Sequence, residues 1–220
     1  MSKKPLWKTF CSIFIDFLHI LQHYKEVKNT MKKTEIEIQV NIENKKPLME
    51  FLKNNAEFKS ENQQIDEYFS PIHRNFIEVR PVKEWFRLRD SEKDYSINYK
   101  NWHIDDKGRS IYCDEYETKI ENLDTVKEML KILNFKTIAK VKKTRKTWNY
   151  KDYEINIDSV ENLGDFVEIE YIGKENVNPE EIISQMVDFL KSLDCGTIKR
   201  NYRGYPFQLL FPNEVEYEEL

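Results

Sequence analysis

Glycine is scarce in this sequence, with only 5 among 220 residues. Neither a Walker A motif nor a G-x-G-x-x-G motif is present, which excludes phosphate binding by a glycine-rich loop. Cysteine is scarce as well: Cys11, Cys113 and Cys195 are far apart and show no C-x-x-C spacing. Neither a zinc site nor a disulfide framework is therefore indicated, and a reducing cytoplasm is the expected location.

An excess of positive charge is also missing. The chain has 35 Lys and Arg against 39 Asp and Glu, a formal net charge of −4. A general nucleic-acid binder would be strongly basic, so no nucleic-acid partner is expected. Charged residues nevertheless make up 34% of the chain and hydrophobic residues 40%. This composition allows a sizeable core, with many acids and bases gathered in one place.

No long uncharged hydrophobic run is present. Apolar residues recur at helical spacing through residues 1–30, but Lys8 and Asp16 interrupt them. A membrane-spanning helix would need about 20 predominantly apolar residues, so no membrane role is expected. We predict an N-terminal helical extension in residues 1–30 that packs on the domain or on a partner. The alternative is that the true initiator is Met31.

The remainder of the sequence predicts one α+β domain, residues 31–212, followed by an acidic tail, residues 213–220, that frays. Strict alternation of apolar and polar residues predicts the first strand at 33–42. Further strands are predicted at 61–70, 84–90, 94–101, 110–120, 136–149, 152–160 and 165–172. Helices are predicted at 47–52 and 123–133, and from Pro179 to before Gly196. Closure would remove exposed edges, so we predict a closed antiparallel eight-stranded β-barrel with flanking helices.

Charged residues of like sign recur two positions apart on the predicted strands. The pairs are Glu35/Glu37, Arg87/Arg89, Glu115/Glu117, Lys143/Arg145 and Glu168/Glu170. Residues i and i+2 share one face of a strand, about 6.5 Å apart. A single pair is typical of a solvated face, but solvated faces usually mix signs because adjacent like charges repel. Repeated segregation favours a ligand: acids would hold a hard cation such as magnesium, and bases would hold phosphoryl oxygens.

The order of these motifs is similar to that of the CYTH family, which includes class IV adenylyl cyclases, thiamine triphosphatases and related triphosphate tunnel enzymes. The resemblance covers about residues 33–211 and rests on the ordered set of motifs. That set is the opening strand from Glu35, Arg87-Leu88-Arg89, Tyr99-Lys100, Glu115-Tyr116-Glu117, Lys143-Thr144-Arg145, Asp158 and the segment from Leu163 to Glu170.

The resemblance implies a role for each charged residue, with Mg²⁺ or Mn²⁺ as the cofactor. The implied metal ligands are Glu35, Glu37, Asp158, Glu168 and Glu170. The implied substrate-binding residues are Gln39, Arg87, Arg89, Lys100, Lys143 and Arg145. The implied catalytic residues are Glu115, Glu117 and Lys100. Tyr68 matches an aromatic position of the family and is expected to pack near the tunnel rather than to contact substrate.

The function implied by the resemblance is a metal-dependent enzyme that acts on a nucleoside or organic triphosphate. A class IV adenylyl cyclase, converting ATP to cyclic AMP and pyrophosphate, is the first expectation, and a thiamine or inorganic triphosphatase is the alternative. Two departures leave a third reading, a non-catalytic nucleotide- or polyphosphate-binding module. Gln39 replaces the lysine of the family's E-x-E-x-K signature, and Cys113 replaces an arginine that often precedes the acidic pair at Glu115. A homodimer is compatible with the resemblance.

Overall fold

The computed structural model describes residues 33–92 and 94–220, so the helix predicted in residues 1–30 lies outside the described residues. The described chain forms eleven strands and four α-helices. The strands are β1 (Lys33–Glu35), β2 (Glu37–Ile42), β3 (Glu57–Pro71), β4 (Glu84–Asp90), β5 (Tyr95–Ile104), β6 (Ser110–Ile120), β7 (Phe135–Tyr150), β8 (Tyr153–Val160), β9 (Gly164–Tyr171), β10 (Ile198–Asn201) and β11 (Tyr217–Glu219). The helices are α1 (Lys46–Asn55), α2 (Leu123–Ile132), α3 (Pro179–Lys191) and α4 (Tyr205–Leu210).

The predicted strands and helices are present, with shifted ends. The strand predicted at 110–120 has the bounds of β6, whereas β3 begins at Glu57, four residues before the predicted start. Its early part is exposed and does not alternate cleanly, but it pairs with β7 from Glu57↔Asn149 onward. Tertiary pairing therefore extends β3 beyond the part that its own periodicity indicates. None of the helices in the described residues is long and apolar enough to span a membrane.

The prediction of a closed eight-stranded barrel is wrong in strand number and in closure. One antiparallel sheet of eleven strands has the order β1-β6-β5-β4-β3-β7-β8-β9-β2-β10-β11 and is not closed. Two of the additional strands come from the end of the described chain, where β10 covers the free edge of β2 through Ile198↔Ile42. The third arises because the strand predicted at 33–42 is divided into β1 and β2. The tail was predicted to fray, but Tyr217–Glu219 forms β11 and pairs with β10.

The opening segment occupies two places in the sheet. β1 lies beside β6, whereas β2 lies beside β9, and only Ile36 separates β1 from β2. The strands between β6 and β9 in the sheet are therefore bounded at both ends by the segment 33–42, so the sheet curls on itself. The curling brings Lys100 of β5 to 2.5 Å from Glu35 of β1. Side chains on the inner face of the sheet are thus brought together.

The outer face of the curled sheet carries the main hydrophobic core. Ile38 and Val40 of β2 are buried there, and α1 and α3 cover them. The helical side chains of this core are Leu48, Leu52, Ile182, Met186 and Leu190. Each buried aliphatic side chain contributes roughly 1.5–3 kcal/mol. Alternation then directs Glu37 and Gln39 to the inner face, as the period-two pattern predicted.

Candidate functional site

Asp158 holds two basic side chains of β7 on the inner face. Its carboxylate is fully buried and accepts hydrogen bonds from Arg145 Nε (2.7 Å) and Nη2 (2.6 Å), Lys143 Nζ (3.1 Å) and the Tyr205 hydroxyl (2.8 Å). Arg145 Nη2 also donates to Glu168 Oε1 at 2.7 Å. Burial opposes ionisation, but Arg145 and Lys143 hold the pKa of Asp158 well below its usual range. Both oxygens of Asp158 are therefore engaged by these donors, and Asp158 holds the bases of β7 in place; its role as a metal ligand stays a prediction.

Asp66 holds the two arginines of β4 in the same manner. It is 1% exposed and accepts from Arg89 Nε (2.6 Å) and Nη2 (2.8 Å) and from Arg87 Nη1 (3.3 Å). Asp66 was not predicted as a site residue, although it lies two residues before Tyr68 on the same face of β3. Tyr68 packs edge-on against Trp85, with ring centroids 5.7 Å apart, which agrees with its predicted packing role.

Lys100 is the centre of the acidic part of the site. Its Nζ lies 2.5 Å from Glu35, 3.6 Å from Glu37 and 3.7 Å from Glu115. Burial opposes ionisation of Glu35, but Lys100 and the thiol of Cys113, which donates at 3.0 Å, lower the pKa of that carboxyl to about 2. Cys113 therefore does not reproduce the charge of the arginine expected at its position. It supplies a neutral donor to Glu35 instead.

The acidic pair on β6 is divided between the site and the solvent. Glu115 is buried and accepts from Asn98 Nδ2 at 2.7 Å. Glu117 is exposed and accepts from Ser96 Oγ at 2.7 Å. The structure thus brings Glu115 into the Lys100 group and leaves Glu117 at the rim. Asn98 was not predicted, because a neutral residue on a strand is not part of any charge pattern in the sequence.

A row of carboxylates crosses three adjacent strands. Glu37 of β2 is paired directly with Glu170 of β9, which is paired with Glu154 of β8. Like charges placed directly opposite each other destabilise a sheet. Burial raises the pKa of Glu37 well above its usual value; Lys100 opposes this rise, whereas Glu168 and Glu170 add to it. Glu154 was not predicted, since its membership of the row depends on strand register.

The chemistry of this row fits a hard divalent cation. Carboxylate oxygens are the ligands that Mg²⁺ and Mn²⁺ prefer, and a cation would relieve the repulsion at Glu37. Within residues 33–92 and 94–220, however, no three His, Cys, Asp or Glu side chains already lie close enough together to hold a metal ion. The carboxylates of Glu37, Glu168 and Glu170 would therefore have to draw closer around an ion.

We expect the Glu37→Gln variant to be more stable than the wild type in metal-free buffer, by about 1 kcal/mol, because it removes cross-strand repulsion. We also expect Mg²⁺ to raise the melting temperature of the wild type and to have no such effect on Glu37→Gln. Thermal unfolding with and without Mg²⁺ measures both effects. Glu175→Gln, at an exposed position, is the control. An unchanged Mg²⁺ effect in Glu37→Gln would contradict the role of Glu37.

Gln39 is embedded in a cluster of amides. It is 8% exposed, and its Oε1 accepts from Asn201 Nδ2 at 3.2 Å and from Gln208 Nε2 at 3.1 Å. A lysine cannot accept these hydrogen bonds, because its ammonium group is a donor only. The amide at this position is therefore matched to its neighbours on β10 and α4, and the surroundings do not favour the lysine of the family signature.

Gln39→Lys should lower the free energy of unfolding by about 1–3 kcal/mol, since it leaves two buried donors without their acceptor. Urea denaturation measures the change. Gln63→Lys, on an exposed position of β3, should have little effect and serves as the control. If Gln39→Lys were as stable as the wild type and turned over a triphosphate faster, the missing lysine charge would limit the activity of the wild type, and the amide cluster would not require Gln39.

A small cavity of about 30 Å³ adjoins the acidic row. Glu37 and Gln39 line it together with the rings of Trp85, Trp102 and Phe207. A volume of this size holds about one or two water molecules, so an organic ligand would require the surrounding side chains to move apart. Phe207 belongs to α4, so the segment after β10 closes this side of the site.

Comparison with known proteins agrees with this arrangement. A curated protein of Methanocaldococcus jannaschii, "Putative adenylate cyclase MJ0240", is 32% identical over 172 residues, which are 76% of this chain and 95% of that protein. The solved PH1819 protein of Pyrococcus horikoshii OT3 is 28% identical, with a TM-score of 0.66, over 82% of this chain and 99% of that one. The adenylyl cyclase-like protein HpAC1 from Hippeastrum shares the fold at 16% identity, with a TM-score of 0.56, over 83% and 97% of the two chains.

The family model for the CYTH domain matches residues 31–205 of this chain. That range contains every residue that the sequence analysis assigned to the site, from Glu35 to Glu170. The chain therefore belongs to the CYTH domain family.

Proposed function

We propose that this protein binds a triphosphate together with Mg²⁺ or Mn²⁺ inside the curled sheet and acts on it as a class IV adenylyl cyclase, forming cyclic AMP and pyrophosphate from ATP. The observation that carries the proposal is the separation of charge on the inner face. Bases line β4 and β7, and carboxylates line β2 and β9. A metal-bound triphosphate has the matching distribution of charge, anionic oxygens on one side and a cation on the other.

The basic wall, which we define as Arg87, Arg89, Lys143 and Arg145, is suited to phosphoryl oxygens. Asp66 and Asp158 orient its members, so their remaining donors are held in place before a ligand arrives. The Nε atom of Arg87 is buried and has no hydrogen-bond partner among the described residues. An unpaired buried guanidinium donor is costly, and a phosphoryl oxygen would pair with it.

The protonation of Lys143 also supports anion binding. Burial and the neighbouring Arg145 guanidinium lower the pKa of Lys143 to about 8. Burial and Arg145 therefore outweigh the opposing effect of Asp158 and Glu168 at this lysine. A bound triphosphate would add negative charge beside it and favour the protonated lysine.

The reaction would depend on positioning and charge stabilisation. Arg87, Arg89 and Arg145 would hold the phosphates, orient the α-phosphorus toward the ribose 3′-hydroxyl, and stabilise pyrophosphate as it leaves. The metal ion, when bound, supplies Lewis-acid polarisation of phosphoryl oxygens and favours deprotonation of the nucleophile.

A triphosphatase is the second candidate, with water as the nucleophile. The Hippeastrum protein, which has the same fold, is described as an adenylyl cyclase-like protein with a dominant triphosphatase activity, so the fold accommodates a triphosphatase. We propose a cytoplasmic location, because three widely spaced cysteines are typical of a reducing compartment.

Product identification tests the proposal. The purified chain is given ATP, thiamine triphosphate or inorganic tripolyphosphate with Mg²⁺ or Mn²⁺, and the expected products are cyclic AMP and pyrophosphate from ATP. Inorganic phosphate without cyclic AMP would favour the triphosphatase, and binding without any product would favour a non-catalytic module. Arg87→Met should abolish turnover, whereas Arg74→Met, an exposed arginine paired with Glu84, should not.

A further inference from the structure

Gln64 is a buried polar residue on the inner face, outside the metal ligands and the basic wall. It lies at the middle of β3 and is 7% exposed. Its Oε1 is buried and has no hydrogen-bond partner within residues 33–92 and 94–220. Its Nε2 donates a long hydrogen bond to Asn62 Oδ1, at 3.4 Å. Leaving a buried amide oxygen unpaired is unfavourable, so this side chain is incompletely satisfied without a ligand.

The position of Gln64 places its amide beside the basic wall. Gln64 is paired directly with Lys143 of β7, and Asn62 is paired with Arg145. Asp66, two residues further along β3, binds Arg87 and Arg89. Residues at i and i+2 of a strand share a face, so Gln64 lies between the Asp66 and Asp158 groups.

The amide can present either a donor or an acceptor to the interior. A half-turn about the terminal torsion of a glutamine exchanges Oε1 and Nε2, and this torsion is soft. The hydrogen bond to Asn62 is near the limit of hydrogen-bond length, so little is lost when it breaks. After the turn, Nε2 would occupy the place where Oε1 is now unpaired, and the Asn62 amide would turn in the same way so that its Nδ2 donates to Gln64 Oε1.

We infer that Gln64 is a binding residue for the triphosphate, donating an N–H of its side-chain amide to a phosphoryl oxygen held by the basic wall. This inference rests on the proposed function. A neutral donor between Lys143 and Arg89 adds a hydrogen bond to the anion without adding to the repulsion among the bases. Gln64 thereby completes a row of phosphate donors from β4 across β3 to β7.

Calorimetric titration with inorganic tripolyphosphate in the presence of Mg²⁺ tests the inference. We expect Gln64→Met to weaken binding about tenfold, which corresponds to about 1.4 kcal/mol. Gln64→Glu should weaken it further, because a carboxylate accepts only and repels the phosphate. Gln63→Met, the same substitution at the adjacent exposed position, should bind like the wild type.

Thermal unfolding separates ligand binding from a structural role. Gln64→Met removes an unsatisfied buried acceptor, so its melting temperature should equal or exceed that of the wild type while its affinity falls. Wild-type affinity in Gln64→Met, or a loss of affinity that parallels a loss of stability, would overturn the inference and leave the proposed function standing. Failure of the wild type and Gln63→Met to bind tripolyphosphate would overturn both.

Discussion

Replacing Asp66 with alanine should lower the free energy of unfolding by about 3–5 kcal/mol, because it leaves two arginines without the buried carboxylate that they share. Both Arg87 and Arg89 donate to Asp66, which is 1% exposed. Urea denaturation at neutral pH measures the loss. Saturating tripolyphosphate should restore part of the stability, because its oxygens offer the arginines new acceptors.

Two controls define this result. Glu61 lies on the same strand as Asp66 and forms an exposed ion pair with Lys146 of β7. Glu61→Ala should lower the free energy of unfolding by less than about 1 kcal/mol. Burial opposes ionisation of Asp66, but Arg89 and Arg87 hold its pKa far below the usual range in the folded state. Its contribution is therefore complete above the unfolded-state pKa and is lost as the pH falls toward the folded-state value. The difference between Asp66→Ala and the wild type should accordingly shrink below about pH 4; a constant difference would argue against the ion pairs.

Arg145→Met is expected to weaken tripolyphosphate binding by about 100-fold and to destabilise the fold by about 3–5 kcal/mol. Arg145 joins Asp158 and Glu168, so its removal affects the basic wall and leaves two buried carboxylates without their main partner. Calorimetric titration gives the affinity, and urea denaturation gives the stability.

Matched variants of β7 separate charge from geometry. Arg145→Lys keeps the charge but lacks the forked contact to Asp158, so its affinity should lie between those of the wild type and Arg145→Met. Lys146→Met alters a partly exposed neighbour and should leave affinity unchanged. An affinity of Arg145→Met within threefold of the wild type would contradict its place in the anion site.

The sequence predicts on which face of a strand each side chain lies, but it does not predict which strands are neighbours in the sheet. Period-two alternation is local, so it assigns Glu37 and Gln39 to one side of β2 before any partner is known. The pairing Glu37↔Glu170 depends on the register between β2 and β9, which lie far apart in the sequence, and Glu170↔Glu154 depends on the register between β8 and β9. Neither could be read from that pattern. Tyr205 was missed for the same reason, since it reaches Asp158 from a helix 47 residues away.

The resemblance supplied the order of the motifs but not the division of labour among the acids. Asp158 and Glu168 both lie at the expected positions. Asp158 binds Lys143, Arg145 and Tyr205, whereas Glu168 binds Arg145 and also belongs to the acidic side of the site. Asp66 plays the part of Asp158 for the other arginine pair. Such roles follow from which side chains reach each oxygen, and sequence spacing does not determine that.

The segment after β10 has a practical consequence for the choice of recombinant fragments. A fragment trimmed to the family-matched range would stop at Tyr205, the first residue of α4, and would lose Phe207 and Gln208. It would also lose β11 and expose the edge of β10. Leu220 packs against the main core, so an affinity tag fused directly to it would sit beside buried side chains. Activity measured on a shortened or C-terminally tagged protein would therefore understate that of the intact chain.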